Sequence, residues 1–206
     1  MTATISRLYD SYADAQRAVT ILEAAGVPHS DLSIVANNSD NWYGADTKVD
    51  RDRDGTDDRA EGAATGAGIG AGLGGAAGLL AGLGLLAIPG LGPVVAAGWL
   101  ASTALGATAG AATGGIVGAL TQSGVSEEEA PLYAEGVRRG GTLVSARVPD
   151  ADRARFEALL SQSAVDIRQR SSAWQKAGWK SFDPSAKPYT ADDVRKERQL
   201  YGAGVR

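Results

Sequence analysis

The chain has 206 residues, with 24 acidic and 20 basic side chains and no cysteine. This length predicts one domain with an insertion, or two small domains. The net charge of −4 and the lack of a basic patch argue against a nucleic-acid partner. The absence of cysteine excludes disulfides, thiol catalysis and thiolate metal sites. Residues 1–4 lack the basic-then-apolar plan of a signal peptide, which predicts a cytoplasmic protein.

Residues 1–36 predict the first half of an α/β domain. The alternating segment Thr4–Tyr9 predicts a strand. A helix is expected over residues 11–25, because a serine that can cap it precedes an apolar face and a glycine follows it. Leu32–Ala36 predicts a second strand. We expect His29, the only histidine, to be a surface residue of the intervening turn.

Residues 37–61 form a polar, acidic loop that contains a calcium-loop pattern, D-x-D-x-D-G-x5-E. The candidate calcium ligands are Asp50, Asp52, Asp54, Thr56, Asp58 and Glu61. Arg51 and Arg53 weaken the negative field of this loop. The alternative is a solvated flank of mixed charge beside the apolar stretch that follows.

That apolar stretch, residues 62–126, contains no Asp, Glu, Lys, Arg or His. Small residues recur in it at every fourth position. They are Gly62, Gly66, Gly70, Gly74, Gly78, Gly82, Gly98, Ser102, Gly106, Gly110, Gly114 and Gly118. Residues four apart share one face of a helix, so the period predicts two helices with a smooth stripe where another backbone can approach closely. We expect this glycine zipper to drive self-association.

A short segment between the two predicted helices has the composition of a turn. Its turn residues are Pro89, Gly90, Gly92 and Pro93, and they predict a helical hairpin. Two environments remain open for it. In the first, the hairpin enters the inner membrane with both termini in the cytoplasm, since each arm of about 25 residues is long enough to span a bilayer. In the second, the hairpins of several subunits pack together in a soluble homo-oligomer or filament.

Residues 127–172 predict the second half of the α/β domain. A capping box indicates a helix that begins after Ser126 and ends near Arg139. Thr142–Val148 predicts a third strand, residues 151–161 a helix, and Val165–Arg170 a fourth strand. Two βαβ halves in this order predict a ferredoxin-like α+β sandwich, with an antiparallel sheet and helices on one face.

Residues 173–206 predict an extended aromatic arm and a short helix capped by Thr190. The aromatic docking residues are Trp174, Trp179, Phe182 and Tyr189. Aromatic side chains on an arm need an apolar surface to contact. Three surfaces remain open: the protein's own domain, a neighbouring subunit and a membrane interface.

Three segments together resemble the heat-induced, YflT-like general stress protein family. They are Ile5–Asp10, the end of the apolar stretch at Leu86–Pro93, and Tyr133–Gly141. The resemblance covers roughly residues 4–170 and leaves out the acidic loop and the aromatic arm. It implies a bacterial, stress-induced protein that is not an enzyme.

The residues themselves also predict no catalytic site. His29 stands alone in a turn, whereas serine-protease chemistry needs a base together with an orienting acid. Carboxylates such as Glu127–Glu129 lie on exposed charged runs where perturbed pKa values are not expected. The glycine-rich stretch lacks the Lys-Ser/Thr ending of a phosphate-binding loop. We therefore expect no small-molecule substrate and no cofactor apart from the calcium candidate. The expected partners are other copies of the chain and, in one alternative, membrane lipid.

Overall fold

A computed structural model describes residues 2–43, 84–88, 90–101 and 115–201. Within them, five strands form one antiparallel sheet, and helices cover both of its faces. The strands are β1 (Thr2–Tyr9), β2 (Leu32–Asn37), β3 (Gly84–Ile88), β4 (Gly92–Gly98) and β5 (Thr142–Pro149). The helices are α1 (Tyr12–Ala24), α2 (Gly115–Gln122), α3 (Ala130–Arg138), α4 (Arg153–Leu160), α5 (Ile167–Lys176) and α6 (Ala191–Tyr201). The predicted mixture of helices with an antiparallel sheet is confirmed.

The strand order is β1-β5-β2-β4-β3, so β1 and β3 are the edge strands. Strand β5 lies antiparallel between β1 and β2, and these two therefore run in the same direction. The register places Ser6 opposite Ser145, Ser145 opposite Ser33, and Ser33 opposite Gly98. This row of three buried serines crosses one face of the sheet, and the Ser6 and Ser145 hydroxyls are hydrogen-bonded at 2.7 Å.

The first face of the sheet packs against α1 and α4, and we call it the α1 face. Its core is aliphatic and aromatic, and it includes Tyr9, Leu22, Ile34 and Phe156. The N-terminus of α1 forms as predicted, because the Ser11 hydroxyl accepts a hydrogen bond from the Asp14 amide at 3.1 Å. Burying such side chains contributes about 1.5–3 kcal/mol each, so this face supplies ordinary hydrophobic stability.

The second face packs against α2, α3 and α5, and we call it the α3 face. Its core includes Leu120, Tyr133, Val137, Leu143 and Trp174. The prediction that helices cover one face is therefore wrong. The cause lies in segments that the sequence assigned elsewhere, since α2 comes from the apolar stretch and α5 from the predicted fourth strand and arm.

The fourth strand predicted at Val165–Arg170 is also wrong. Only Val165 bridges to β1, through its amide and the Leu8 carbonyl oxygen at 2.7 Å. The Asp166 side chain then accepts hydrogen bonds from the Arg168 and Gln169 amides. This N-cap begins α5 one residue after the bridge, so the chain turns away from the sheet edge.

The helical hairpin is wrong at residues 84–88 and 92–98, which are strands, whereas Gly115–Gln122 of the second predicted arm is helical. Strands β3 and β4 form a β-hairpin, and β4 lies inside the sheet between β2 and β3. The predicted turn does form, with Gly90 at φ 78° and Gly92 at φ 85°. A short apolar run that is buried on both sides has no amphipathic period, so its pattern cannot distinguish a buried strand from a helix.

Candidate functional site

Most of the predicted glycine zipper lies outside the residues that the structure describes. These positions are Gly62, Gly66, Gly70, Gly74, Gly78, Gly82, Ser102, Gly106, Gly110 and Gly114. Their part in self-association stays a prediction. Gly98 and Gly118 are described, and their surroundings differ.

Gly98 ends β4, and no side chain would fit there. An added Cβ atom would lie 2.2 Å from the Leu32 carbonyl oxygen and 2.8 Å from Ser33 Cα, and the φ angle is +84°. Beside it, the Ser33 hydroxyl donates to the Ala97 carbonyl oxygen at 2.9 Å. The helical stripe predicted at Gly98 is therefore wrong. This glycine is required by close contact between strands.

Gly118 lies within α2, and the described residues leave space beside it. A Cβ atom added to it would meet no atom within 4 Å, although Ile116 and Leu120 of the same helix are buried. The inner side of α2 is thus packed on the domain, while the glycine lies on a side that the described residues leave uncovered.

The predicted turn residues contact the C-terminal arm. A Cβ atom at Gly90 would lie 2.7 Å from Pro184 Cα, and one at Gly92 would lie 2.6 Å from Pro188 Cβ. Pro89 lies outside the described residues, and Pro93 is the exposed second residue of β4. The two glycines therefore form a surface on which the arm lies.

The aromatic residues of the arm dock on the protein's own domain. Trp174 belongs to α5, is 1% exposed, and meets the Trp179 ring edge-on with centroids 5.8 Å apart. Trp179 and Phe182 are partly buried and pack against the core of the α3 face. Because Trp174 is buried, its side chain is not available to contact a membrane or a neighbouring subunit. The extended conformation predicted from residue 173 onward is wrong for residues 173–176, which belong to α5.

Tyr189, the last of the predicted docking residues, lies under two arginines. The Arg138 guanidinium carbon is 5.0 Å from its ring centroid, and that of Arg139 is 5.4 Å away. Both arginines also bind the fully buried Glu135 of α3, Arg138 at 3.1 Å and Arg139 at 2.5 Å. Cation–π contacts of this kind contribute on the order of 1 kcal/mol.

A buried ion network joins α3 to α6. Arg139 reaches Glu197 at 3.0 Å, and the Trp174 indole donates to the same carboxylate at 2.8 Å. Burial alone would lower the pKa of Arg139, but hydrogen bonds and charge from Glu135 and Glu197 raise it above its usual value. The sequence analysis missed this network. The spacing of Glu135 from the two arginines, three and four residues on a helix, is the signal that could have indicated it.

The calcium-loop residues lie outside the described ranges, so the calcium site stays a prediction. Among the described residues, no group of three His, Cys, Asp or Glu side chains is placed to hold a metal ion. His29 lies in a short 3-10 turn, where its Nδ1 is 3.2 Å from Glu23 Oε1. Glu129, at the start of α3, pairs with Arg168 at 3.0 Å.

No helix within the part of the chain that the structure describes is both long and apolar enough to cross a bilayer. Comparison of the chain with protein-family models, with curated proteins and with solved structures finds no match. The resemblance to the general stress protein family therefore stays a prediction from the sequence.

Proposed function

We propose that this protein is a non-catalytic, self-associating protein of the bacterial stress response, whose α/β domain carries a glycine-zipper segment at residues 62–83. The observation that carries the proposal is the four-residue glycine period from Gly62 to Gly82, beside a described domain that exposes few large hydrophobic residues. Its exposed large hydrophobic residues are Trp42, at 40%, and Leu200, at 71%. The described residues thus offer little large apolar surface for association, which leaves the periodic glycines as the candidate contact.

The energetic cost of glycine in a helix supports the interpretation that the four-residue glycine period serves close packing between backbones. A glycine within a helix costs about 1 kcal/mol relative to alanine, so the six positions cost on the order of 6 kcal/mol. That is comparable to the whole stability of many domains. Such a cost is offset where glycine lets two backbones approach closely. Gly118 on α2, where no described atom would lie within 4 Å of an added Cβ, is a position of the same kind.

The fold favours the soluble homo-oligomer over the membrane hairpin. Strand β4 would have been part of the second membrane arm, but Val94, Val95 and Ala96 are buried within the sheet between β2 and β3. Drawing β4 into lipid would break hydrogen bonds to both neighbouring strands. Membrane association is the second candidate. It is supported by residues 62–83 alone, which are uncharged and about long enough for one bilayer crossing.

We further propose that the domain is a modified ferredoxin-like sandwich. Two features support this proposal: β5 lies between β1 and β2, and α1 and α4 share one face. The fourth strand is reduced to the single bridge at Val165. The β3-β4 hairpin extends the sheet beyond β2.

Sedimentation of the full-length chain in detergent-free buffer tests the function. Wild type should form a defined oligomer, and Gly70→Leu and Gly74→Leu, on the four-residue stripe, should shift it to smaller species. Gly72→Leu is the matched control, because it lies between the two on the opposite side of a helix. A monomeric wild type, or equal sizes for all three variants, would contradict the proposal. Flotation of wild type with lipid vesicles would instead support the membrane candidate.

A further inference from the structure

The outer edge of β1 is only partly covered. At one end, the Val165 amide donates to the Leu8 carbonyl oxygen at 2.7 Å. An antiparallel strand continuing from Val165 would run along Ser6 and Thr4, but the chain leaves as α5. Among the described residues, no strand lies outside β1 from Thr2 to Ser6.

A groove of about 370 Å³ lies along this edge. One wall comes from the loop before α3 and from α3 itself, and the other comes from α4. The lining residues on these walls are Gly124, Val125, Ser126, Glu129, Tyr133, Arg153 and Glu157. Its floor is the backbone of β1 at residues 4–7. Because helices flank the sheet on both sides, the groove occupies the position that a neighbouring strand would take.

The backbone groups that face this groove follow from the strand register. In an antiparallel pair, successive residues point their hydrogen-bonding groups alternately to one neighbour and then to the other. Leu8 and Ser6 point theirs outward, since their carbonyl oxygens accept from the Val165 amide and the Tyr133 hydroxyl. Thr4, two residues further, therefore presents its amide and carbonyl to the groove, and no described backbone group pairs with them.

The groove also holds a cation without a carboxylate partner. Arg7 is half-buried and donates to the Ser6 carbonyl oxygen at 2.8 Å and to the Ser161 hydroxyl at 3.1 Å. Within the described part of the chain it makes no ion pair, whereas Arg153 pairs with Glu157 at 2.9 Å. Glu129 is likewise neutralised by Arg168. Arg7 is therefore the source of the net positive charge of the groove.

We propose that this groove binds an extended peptide segment of another protein, by strand addition to β1, and that the segment carries a carboxylate side chain beside Arg7. Backbone hydrogen bonds to the Thr4 amide and carbonyl would continue the line that Val165 begins, as in other cases of strand addition, while the Ser6 carbonyl oxygen keeps its bonds to Tyr133 and Arg7. The carboxylate would satisfy the unpaired guanidinium. The proposal does not depend on the proposed self-association.

Isothermal titration of the full-length protein with three blocked pentapeptides tests the proposal. The first is acetyl-Thr-Val-Glu-Val-Thr-amide, the second replaces Glu by Lys, and the third keeps Glu but carries N-methyl groups on the two valine amides. The first should bind, and the others should bind at least about fivefold more weakly. No heat from the first peptide at millimolar concentration, or equal affinity for all three, would overturn the proposal.

Variants locate the site on β1. Arg7→Gln should reduce affinity for the glutamate peptide about fivefold and abolish the preference over lysine. Arg17→Gln is the matched control, because Arg17 is an exposed arginine on α1. Amide hydrogen exchange at Thr4 should slow when the glutamate peptide is added. Unchanged exchange at Thr4, or unchanged peptide preference in a folded Arg7→Gln protein, would place the binding elsewhere and overturn the proposal.

Discussion

The two faces of the sheet are covered by different kinds of contact. The α1 face is filled by apolar side chains, and its buried hydroxyl, that of Tyr9, donates to the Leu160 carbonyl oxygen at 2.6 Å. The α3 face carries the row of buried serines, the fully buried Glu135 and a C-terminal arm that lies on glycines. Both faces bury apolar side chains, and the α3 face adds a network of specific polar partners.

This difference determines how each face should respond to mutation. Hydrophobic burial is non-directional, so the α1 face should lose stability in proportion to the side-chain volume removed. A buried polar network needs all of its partners, because a group left unpaired away from water is costly. Removal of one partner on the α3 face should therefore weaken the whole network, and the C-terminal arm should dissociate from the domain as a unit.

The largest effect is expected from Glu135→Ala on the α3 face. It leaves Arg138 and Arg139 without their buried partner, which should lower the free energy of unfolding by about 3–5 kcal/mol. Urea unfolding measures this change. Glu157→Ala removes an exposed partner of Arg153 and should cost less than about 1 kcal/mol. Equal losses in the two variants would show that burial of Glu135 has no special importance.

Leu22→Ala on the α1 face should lower the free energy of unfolding by about 2–5 kcal/mol, since Leu22 is fully buried and truncation of its side chain leaves a cavity. Limited proteolysis between residues 177 and 190 separates this effect from the first. Under native conditions Leu22→Ala should keep the arm protected, whereas Glu135→Ala should expose it. Early cleavage in both variants would mean that the two faces unfold together.

Gly92→Ala should loosen the arm and lower the free energy of unfolding by about 1–3 kcal/mol, because the new methyl group would lie 2.6 Å from Pro188 Cβ. Gly26→Ala is the matched control: its φ of +99° imposes backbone strain, but nothing lies within 4 Å. The difference between the two variants measures the clash alone. Hydrogen exchange in α6 should quicken in Gly92→Ala and stay unchanged in the control.

The smallest effect concerns alkaline pH. Burial raises the pKa of Tyr9 and Tyr133 and raises that of Tyr12 to about 12, although charge from Arg7 partly opposes the shift at Tyr9 and Tyr133. A tyrosine in the unfolded chain ionises at about pH 10. The contribution of these tyrosines to the free energy of unfolding is therefore fully present below about pH 10, and it falls as pH rises toward their pKa values in the folded state.

Urea unfolding at several pH values checks this slope. Tyr9→Phe, on the α1 face, and Tyr133→Phe, on the α3 face, should each make the decline less steep. Both also lose a hydrogen bond, to Leu160 and to Ser6 respectively, so they should start from lower stability. A slope identical to that of wild type in both variants would show that these phenols do not control the alkaline loss.

Much of the α/β framework was predictable from local signals. Strands β1, β2 and β5 alternate or are strongly apolar between turn residues, and Ser11 marks the start of α1. The final helix begins as expected, where the Thr190 hydroxyl accepts from the Asp193 amide at 3.2 Å. Such caps depend on residues three apart, so the sequence contains all the information needed.

The errors arose where tertiary contacts decide the conformation. Residues 84–98 continue an apolar glycine-rich stretch, and nothing local shows that β4 has β2 as a partner. Val94 and Val95 are the one local hint, since β-branched residues favour strands. Asp166 could have indicated the start of α5. The groove beside β1 was not predictable, because it exists only where the expected fourth strand is missing.

The glycine surface under the arm has a consequence for synthesis of the chain. Gly90, Gly92 and Gly140 are translated well before Pro184, Pro188 and Val194, which contact them in the folded protein. The α1 face can close once residue 160 has emerged, but the α3 face must wait for residues 174–194. A nascent chain therefore leaves the α3 face of its sheet uncovered until residues 174–194 have been synthesised, and in this interval a chaperone or a second chain has access to it.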